Sequence, residues 1–209
     1  MKYKLVIFDF DGTLTDSFPW LVSILDQLAD QYHFKRIDKS ELETLRGYTV
    51  NRLVRDYRVP LWRIPRISSH IKALMARDFY RVPRFEGVDR LFHHLTEEGI
   101  QIAMVTSNSW ENVLRVLGAE NTRLIRYAEC GVSLFGKPAK LRKVLRESGL
   151  RSHEVLCVGD EIRDIKASKK TRIPFGAVSW GYANVEALMA YTPEEVFSSI
   201  EDMIAKIIG

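Results

Sequence analysis

Short apolar segments recur along the chain, and a stretch with helical periodicity follows each of them. Five segments predict β-strands, at residues 4–8, 101–105, 128–130, 155–158 and 173–178. Strands that alternate with helices are typical of a parallel sheet covered by helices. We therefore predict an α/β protein with a Rossmann-like parallel sheet core and helices on both faces.

Helix boundary signals support this assignment. Ser109 precedes one periodic stretch, Pro138 fits a first helical turn, and Gly99 and Gly149 fit C-terminal ends. At the end of the chain, a sixth strand at 195–197 followed by a helix at 199–208 is favoured over one helix that begins near Thr192.

One long insertion interrupts the alternation. About ninety residues separate the first two predicted strands, whereas a simple crossover needs only about a dozen. Amphipathic patterns in this part predict helices near residues 18–32, 40–46, 49–57 and 65–81. We therefore predict a core made of residues 1–16 and 85–209, with a small helical domain at residues 17–84.

Composition narrows the function classes. The chain has 209 residues, of which 46% are hydrophobic, enough for one large core. Its net charge of +4 is a mild excess, so a nucleic-acid partner is not expected. Residues 17–84 hold 13 Lys and Arg against 7 Asp and Glu, which fits either solvated helix faces or arginines that attract an anionic ligand.

The number of cysteines and the length of the apolar runs indicate the cellular compartment of the protein. Only Cys130 and Cys157 are present, which argues against a disulfide framework or a cysteine zinc site. No apolar run approaches the roughly 20 residues that span a bilayer, and the first run breaks at Asp9 before it reaches signal-peptide length. We expect a cytoplasmic protein without a membrane partner.

Acidic residues follow two of the predicted strands. Asp9 and Asp11 end the first strand, and Asp160 and Asp164 follow the fourth. Ligands of parallel sheets bind at the carboxyl ends of the strands, and close carboxylates repel each other unless a cation lies beside them. Oxygen ligands alone suit a hard cation, so the sequence predicts a Mg²⁺ site.

Groups that favour an anion are expected at the same edge. Thr106, Ser107 and Asn108 follow the second strand, Lys137 opens a later helix, and Gly12 permits a tight turn beside the acids. Each cluster alone would usually cap a helix, but four clusters at the ends of different strands are hard to attribute to capping. A phosphate group that bridges to Mg²⁺ satisfies both sets.

The order of these motifs resembles the haloacid dehalogenase superfamily of phosphohydrolases, in particular its phosphoglycolate-phosphatase-like branch with a helical cap after the first motif. The resemblance covers essentially the whole chain. The family's first motif is matched by Asp9, Asp11, Gly12, Thr13 and Leu14. The later motifs are matched by Thr106, by Lys137, and by Asp160 with Asp164. The tripeptide Trp180-Gly181-Tyr182 also resembles this branch.

The resemblance implies a mechanism and a ligand set. Asp9 would attack phosphorus and form an aspartyl-phosphate, while Asp11 would protonate the leaving alcohol and then activate water. Mg²⁺ would be held by Asp9, by Asp160 and by the backbone carbonyl of Asp11. The phosphate would be bound by Thr106, Lys137 and backbone N–H groups near Gly12 and Ser107. Asn108 would be either a further phosphate or substrate contact or a residue that caps the start of a helix. Asp164 would orient Lys137 or a metal-bound water.

Substrate selection is expected from the cap. The stretch Leu45-Arg46-Gly47-Tyr48 resembles the family's cap loop, and Arg46 could pair with a substrate carboxylate, although Arg52, Arg55 and Arg63 are rivals. Trp20 is expected to pack the cap rather than line the pocket. The implied substrate is a small phosphorylated metabolite.

The same residues are also compatible with other functions. Asp11 argues against a dehalogenase, whose halide needs no proton, and Thr13 resembles the phosphatase form of the first motif rather than the form of sugar-phosphate mutases. A mutase of the same fold stays open, as does a non-catalytic phosphate-binding or interaction protein, although no catalytic acid is missing. The oligomeric state is left open by the sequence.

Overall fold

A six-stranded parallel sheet forms the centre of the molecule, in a computed structural model that describes residues 2–133 and 136–209. Its strands lie in the order β3-β2-β1-β4-β5-β6, and every recorded pairing is parallel. The strands are β1 (Leu5–Phe8), β2 (Gln101–Val105), β3 (Ile125–Glu129), β4 (Val155–Gly159), β5 (Phe175–Val178) and β6 (Glu195–Phe197). The predicted Rossmann-like α/β architecture is confirmed.

Ten α-helices surround the sheet in the described part of the chain. They are α1 (Phe18–Tyr32), α2 (Leu42–Leu45), α3 (Val50–Asp56), α4 (Ile64–Asp78), α5 (Val88–Glu97), α6 (Trp110–Leu124), α7 (Lys137–Ser148), α8 (Ile162–Thr171), α9 (Val185–Met189) and α10 (Ile200–Ile208). Short 3₁₀ turns precede α2 and α4 and follow α4. Each of the four helices predicted in the insertion therefore has a counterpart in the structure.

Two strand predictions need correction. β3 begins three residues earlier than predicted. It is an edge strand, and its exposed Arg126 interrupts the apolar pattern from which the strand was predicted. β5 begins later than predicted, at Phe175, directly after Pro174, which has no N–H for a ladder. The predicted final strand and helix are confirmed as β6 and α10, with Ser199 capping the helix.

The central strand β1 is buried on both faces, as a strand inside a parallel sheet must be. Val6 and Phe8 pack into one apolar cluster, and Leu5 and Ile7 pack into the other. β2 and β4 flank β1 in register, so that Phe8 lies beside Met104 and Val158. The residues that follow these three strands therefore meet at one edge of the sheet.

We call residues 17–84 the cap. Its buried side chains Trp20, Ile24, Leu28 and Met75 belong to the same apolar cluster as Val6 on the sheet. The cap thus packs directly on one face of the core. Trp20 is only 4% exposed, so the expectation that it packs the cap is confirmed.

Two further sequence expectations can be compared with the structure. Cys130 and Cys157 are both free thiols, as the cysteine count predicts. Among the described residues, every helix is too short or too polar to cross a bilayer.

Candidate active site

The turn after β1 places two acids at the edge of the sheet. The Asp9 amide donates to the carbonyl of Val158 and extends the ladder by one bond of 2.9 Å. The carbonyl of Phe10 then accepts bonds from the amides of the three residues at 13–15, which closes a tight turn. Gly12 lies in the left-handed region of this turn, with φ of 78°, where a side chain would be strained.

Gly12 has a steric role that the sequence did not reveal. A Cβ at this position would collide with the carboxylate of Asp160 and lie 2.7 Å from the ring of Tyr182. The Gly12 amide donates to the carbonyl of Thr15 over 2.9 Å, so it is already occupied. Glycine is thus required here for close approach, and the phosphate contact predicted for backbone N–H groups near Gly12 stays a prediction.

Lys137 joins two of the predicted catalytic acids. Its ammonium nitrogen lies 3.1 Å from Oδ1 of Asp9 and 2.6 Å from Oδ1 of Asp164. All three side chains are almost completely buried. Asp164 also accepts a bond from the Glu161 amide at the start of α8. The structure thus places Asp164 where it holds Lys137 against Asp9, as the predicted supporting role requires.

The charges of this trio depend on one another. Burial raises the pKa of Asp9 above its ordinary value, and the nearby Lys137 opposes the shift. Burial alone would lower the pKa of Lys137, but Asp164 and Asp9 raise it above its usual range. Burial acts against ionised Asp164 as well, yet Lys137 and Arg163 hold its pKa below the ordinary value. Lys137 therefore carries a permanent positive charge beside the candidate nucleophile.

Asp160 is held rigidly by two donors. Thr13 donates its hydroxyl to Oδ1 over 2.7 Å, and the amide of Tyr182 donates to Oδ2 over 2.7 Å. The side chain is fully buried, and burial together with Glu161 and Asp9 raises its pKa well above the ordinary value. A buried carboxylate of this kind is stabilised when a cation binds next to it.

Asp11 is oriented by Asn108. The Asn108 amide nitrogen donates to Oδ2 of Asp11 over 3.0 Å and also lies 2.8 Å from the sulfur of Met75 in the cap. Its oxygen accepts bonds from Ser109 and Asn112. The whole amide is engaged, so in this structure Asn108 positions Asp11 and binds the start of α6, while the predicted substrate contact stays a prediction.

Thr106 and Ser107 lie at the end of β2, facing the same edge. The Thr106 oxygen is buried and accepts a bond from the Asn108 amide, which leaves its hydroxyl hydrogen for another acceptor. The Ser107 amide has no hydrogen-bond partner among residues 2–133 and 136–209. Both groups are thus available for the phosphate oxygens that the sequence assigns to them.

The acids at this edge fit a divalent cation. One carboxylate oxygen from each of Asp9, Asp160 and Asp164 lies within 4.8 Å of the others. Oδ2 of Asp9 and Oδ1 of Asp11 are buried without a partner in the described part of the chain. Buried oxygens of this type are normally satisfied by an ion or by water. Asp9 and Asp160, which the sequence predicts as ligands, thus belong to a cluster that suits a hard cation, and Asp164 also lies in this cluster while it binds Lys137. The predicted third ligand, the backbone carbonyl of Asp11, stays a prediction.

Arg46 is bound to the core rather than free in the pocket. Its Nη2 donates to the carbonyl of Gly181 over 2.7 Å, and its Nε donates to the carbonyl of Tyr182 over 3.1 Å. The guanidinium also pairs with Glu43 and lies over the ring of Phe18. A substrate carboxylate would have to displace these contacts, so the selector role predicted for Arg46 stays a prediction.

Tyr182 is a site residue for which the sequence offered only a family resemblance. Its hydroxyl lies 2.8 Å from the Ser17 hydroxyl, its amide holds Asp160, and its carbonyl accepts from Arg46. Burial and the nearby Asp11 raise the pKa of Tyr182 well above the ordinary value, so the phenol stays neutral. One residue thus links the candidate metal ligand Asp160, Ser17 at the start of the cap, and Arg46 of the cap loop.

Glu161 and Arg163 were also missed, because their side chains are not part of the motif pattern. Nη2 of Arg163 donates to Glu161 over 2.6 Å. Burial raises the pKa of Glu161 to about 6, although Arg163 opposes this shift. With these two residues, five carboxyl groups surround two cations at the site.

Comparisons with known proteins agree with this geometry. A model of the family described as haloacid dehalogenase-like hydrolase matches residues 6–178. A phosphoglycolate phosphatase of Synechococcus elongatus is 27% identical over 98% of this chain and 97% of its own length. The pyrophosphatase PpaX of Bacillus velezensis is 23% identical over 97% of this chain and 95% of its own length.

Solved structures show the same fold. A predicted phosphatase from Clostridium acetobutylicum superposes with a TM-score of 0.82, covering 100% of this chain and 99% of that one, at 19% sequence identity. Similarity at this level of identity speaks for the fold alone and leaves the chemistry to the residues of the site.

Proposed function

This chain belongs to the haloacid dehalogenase-like hydrolases, and we propose that it is a Mg²⁺-dependent phosphatase that hydrolyses a small phosphate monoester through an aspartyl-phosphate. The observation that carries the proposal is the pairing of Asp9 and Asp11. Asp9 is buried and Asp11 is half-buried next to it, and each has one buried carboxylate oxygen that has no partner among the described residues. Such oxygens are free to react with a substrate and a cation.

Asp9 is the nucleophile in this proposal. Its carboxylate attacks phosphorus, the bond between phosphorus and the leaving oxygen breaks, and the phosphoryl group stays on Asp9. Lys137 lies 3.1 Å from Asp9, and its charge opposes the rise in the pKa of Asp9 that burial causes. The Lys137 charge, the Thr106 hydroxyl and the Ser107 amide bind the phosphate oxygens.

Asp11 is the general acid and base. Burial and the negative charge of Asp9 raise the pKa of Asp11 to about 6, which keeps a fraction of the group protonated near neutral pH. Protonated Asp11 donates to the leaving alcohol, and the resulting carboxylate removes a proton from the water that hydrolyses the acyl phosphate. Asn108 holds the Asp11 carboxyl group for both steps.

Asp9, Asp160 and the backbone carbonyl of Asp11 would hold Mg²⁺. When bound, the ion neutralises phosphate oxygens and allows the substrate dianion to approach the carboxylates. Thr13 and Tyr182 fix Asp160 for this purpose. The natural substrate in this proposal is a phosphorylated metabolite of the phosphoglycolate or sugar-phosphate type, and the free cysteines favour a cytoplasmic location.

Trapping of the phosphoenzyme tests the mechanism. The protein is mixed with Mg²⁺ and p-nitrophenyl phosphate, quenched in acid, and searched by mass spectrometry for phosphate on Asp9. Asp11→Asn should accumulate the adduct, because a nitrophenolate leaves without a proton while hydrolysis of the acyl phosphate still needs a base. A phosphatase releases inorganic phosphate continuously, whereas a mutase would need a bisphosphate activator. Phosphate release without any adduct on Asp9 would contradict the proposal.

A further inference from the structure

Arg163 lies at the boundary between the cap and the core, in the first turn of α8. Three cavities meet this boundary, with volumes of about 160, 210 and 1040 Å³. Arg163 is the one described residue that lines all three. Its side chain therefore faces the space in which a bound substrate would extend away from the phosphate.

The guanidinium of Arg163 is only partly used by the protein. Nη2 donates to Glu161, and Nε lies 4.0 Å from Oδ1 of Asp164, beyond hydrogen-bond distance. Nε is buried, and no described residue accepts a bond from it. Since 24% of the side chain is still exposed, part of this fork of five N–H donors faces the cavities.

A role as a counterion of the acids accounts for only part of the Arg163 guanidinium. Asp164 and Asp9 already share the ammonium group of Lys137 at 2.6 and 3.1 Å. Glu161 receives one bond from Arg163, which a single Nη group supplies. A planar guanidinium with further donors directed at a cavity is the arrangement that proteins use to bind carboxylate or phosphate groups.

The largest cavity has the charge of an anion site. Its lining includes four cationic side chains and, among the described residues, no carboxylate. The cations are Arg55, Arg58 and Lys72 from the cap and Arg163 from the core. Ser107, which we place at the phosphate, lines the same cavity. A substrate whose phosphate lies at Ser107 would thus direct its other end into a positively charged space.

From these observations we infer that Arg163 is a specificity-determining residue that binds a second anionic group of the substrate, either a carboxylate or a second phosphate. The inference rests on the proposed phosphatase function and adds the substrate class. It assigns the second anion to a core residue beside the fourth motif, in place of the cap residue Arg46. A neutral leaving group would leave the Arg163 donors without a partner, which disfavours such substrates.

Three matched substrates test this assignment. 2-Phosphoglycolate carries a carboxylate, pyrophosphate carries a second phosphate, and 2-hydroxyethyl phosphate has nearly the size of phosphoglycolate with a neutral end. Arg163→Met should lower kcat/KM by about 30-fold for the preferred doubly anionic substrate, mainly through KM, and by less than about 3-fold for hydroxyethyl phosphate. The anionic substrate whose kcat/KM falls more in Arg163→Met shows whether Arg163 binds a carboxylate or a second phosphate.

Arg46→Met is the matched control, because it removes another cation at the cap boundary. Its effect should be equal on all three substrates. Equal losses for Arg163→Met as well would mean that Arg163 only balances the charge of the acids, and this would overturn the inference. A wild-type enzyme that prefers hydroxyethyl phosphate over both anionic substrates would overturn it too.

Binding provides a readout that does not depend on turnover. In an Asp9→Asn background, calorimetry should show that Arg163→Met weakens the affinity for the preferred anionic substrate about 10-fold or more, with little change for hydroxyethyl phosphate. If the wild type binds the anionic substrate without hydrolysing it, the proposed function fails while the subsite stands. If Arg163→Met does not fold because Glu161 is left unpaired, the double variant Glu161→Gln, Arg163→Met removes both charges and should show the same selective loss.

Discussion

Nη2 of Arg46 lies 2.7 Å from the carbonyl oxygen of Gly181 and joins the cap loop to the segment after β5. This segment continues into Tyr182, whose amide binds Asp160. The Asn184 amide donates back to the carbonyl of Arg46, so the two segments hold each other through their backbones as well. The segment at residues 181–184 therefore connects the cap to Asp160, the candidate metal ligand, through two contacts with Arg46 and one with Asp160.

Arg46→Met should lower kcat/KM by a similar factor, roughly 10-fold, for charged and neutral substrates. The variant loses the bonds to both carbonyls and so loosens the cap on the core, whatever substrate is bound. The measurement is a comparison of phosphoglycolate with p-nitrophenyl phosphate. A loss confined to phosphoglycolate would instead support Arg46 as a direct contact to the substrate carboxylate.

Asp9→Asn should abolish turnover and phosphoenzyme formation while leaving the fold intact, because an amide of nearly the same shape is not a nucleophile. Circular dichroism and thermal unfolding serve as the check on folding. Mass spectrometry must exclude deamidation back to aspartate. Hydrolysis close to the wild-type rate by the verified variant would show that another residue attacks phosphorus.

Asp160→Asn should remove the response of stability to Mg²⁺. Binding of an ion to the folded state alone stabilises the wild type by about 2.7 kcal/mol when free Mg²⁺ is 100 times its Kd. The variant lacks the ligand charge, so its melting temperature should not change between Mg²⁺ and EDTA. Asp26→Asn, at an exposed position of α1, is the control and should respond like the wild type. An unchanged response in Asp160→Asn would remove this residue from the metal site.

Asp11 should make the stability of the metal-free protein depend on pH. Its pKa is raised from 3.8 to about 6, first by burial and then by the charge of Asp9. Between these values the folded protein retains a proton that the unfolded chain has lost, so the free energy of unfolding falls as the pH rises, and the loss is complete above about 6. In urea unfolding with EDTA, this decrease in the free energy of unfolding should be about 2 kcal/mol smaller for Asp11→Asn than for the wild type. Parallel curves for the two proteins between pH 4 and 7 would contradict the assignment.

Lys137→Met should destabilise the protein by about 3 to 5 kcal/mol, because it leaves the buried carboxylates of Asp9 and Asp164 without their shared cation. Lys140→Met is the matched control on the same helix. The Lys140 side chain is 39% exposed where it pairs with Glu129, so its loss should change stability by no more than about 1 kcal/mol. Similar losses in urea unfolding for both variants would mean that the Lys137 pairs contribute no more than a surface ion pair.

Much of the fold and the centre of the site could be predicted from the sequence. The strands, the limits of α1, and the placement of Asp9, Asp11, Lys137 and Asp160 at one edge all follow from local patterns. Apolar segments of strand length form a buried sheet, and the carboxyl ends of parallel strands meet at one edge. These properties depend on neighbours in the chain and on the general geometry of sheets, so they can be predicted from a single sequence.

Only the tertiary structure decided which partners the polar side chains take. Asn108 binds Asp11 across 97 positions of the chain, and Arg46 binds the Gly181 carbonyl across 135. Glycine at position 12 is required by the approach of Asp160, and Arg163 lies where the cap closes over the core. These contacts depend on how the cap packs against the sheet and on which donors remain after the backbone is paired. Residue type and spacing along the chain do not determine how the cap packs or which donors remain unpaired. Several arginines and amides in this sequence are equally suited to bind a substrate, and only the fold shows which of them are already bound to other groups of the protein.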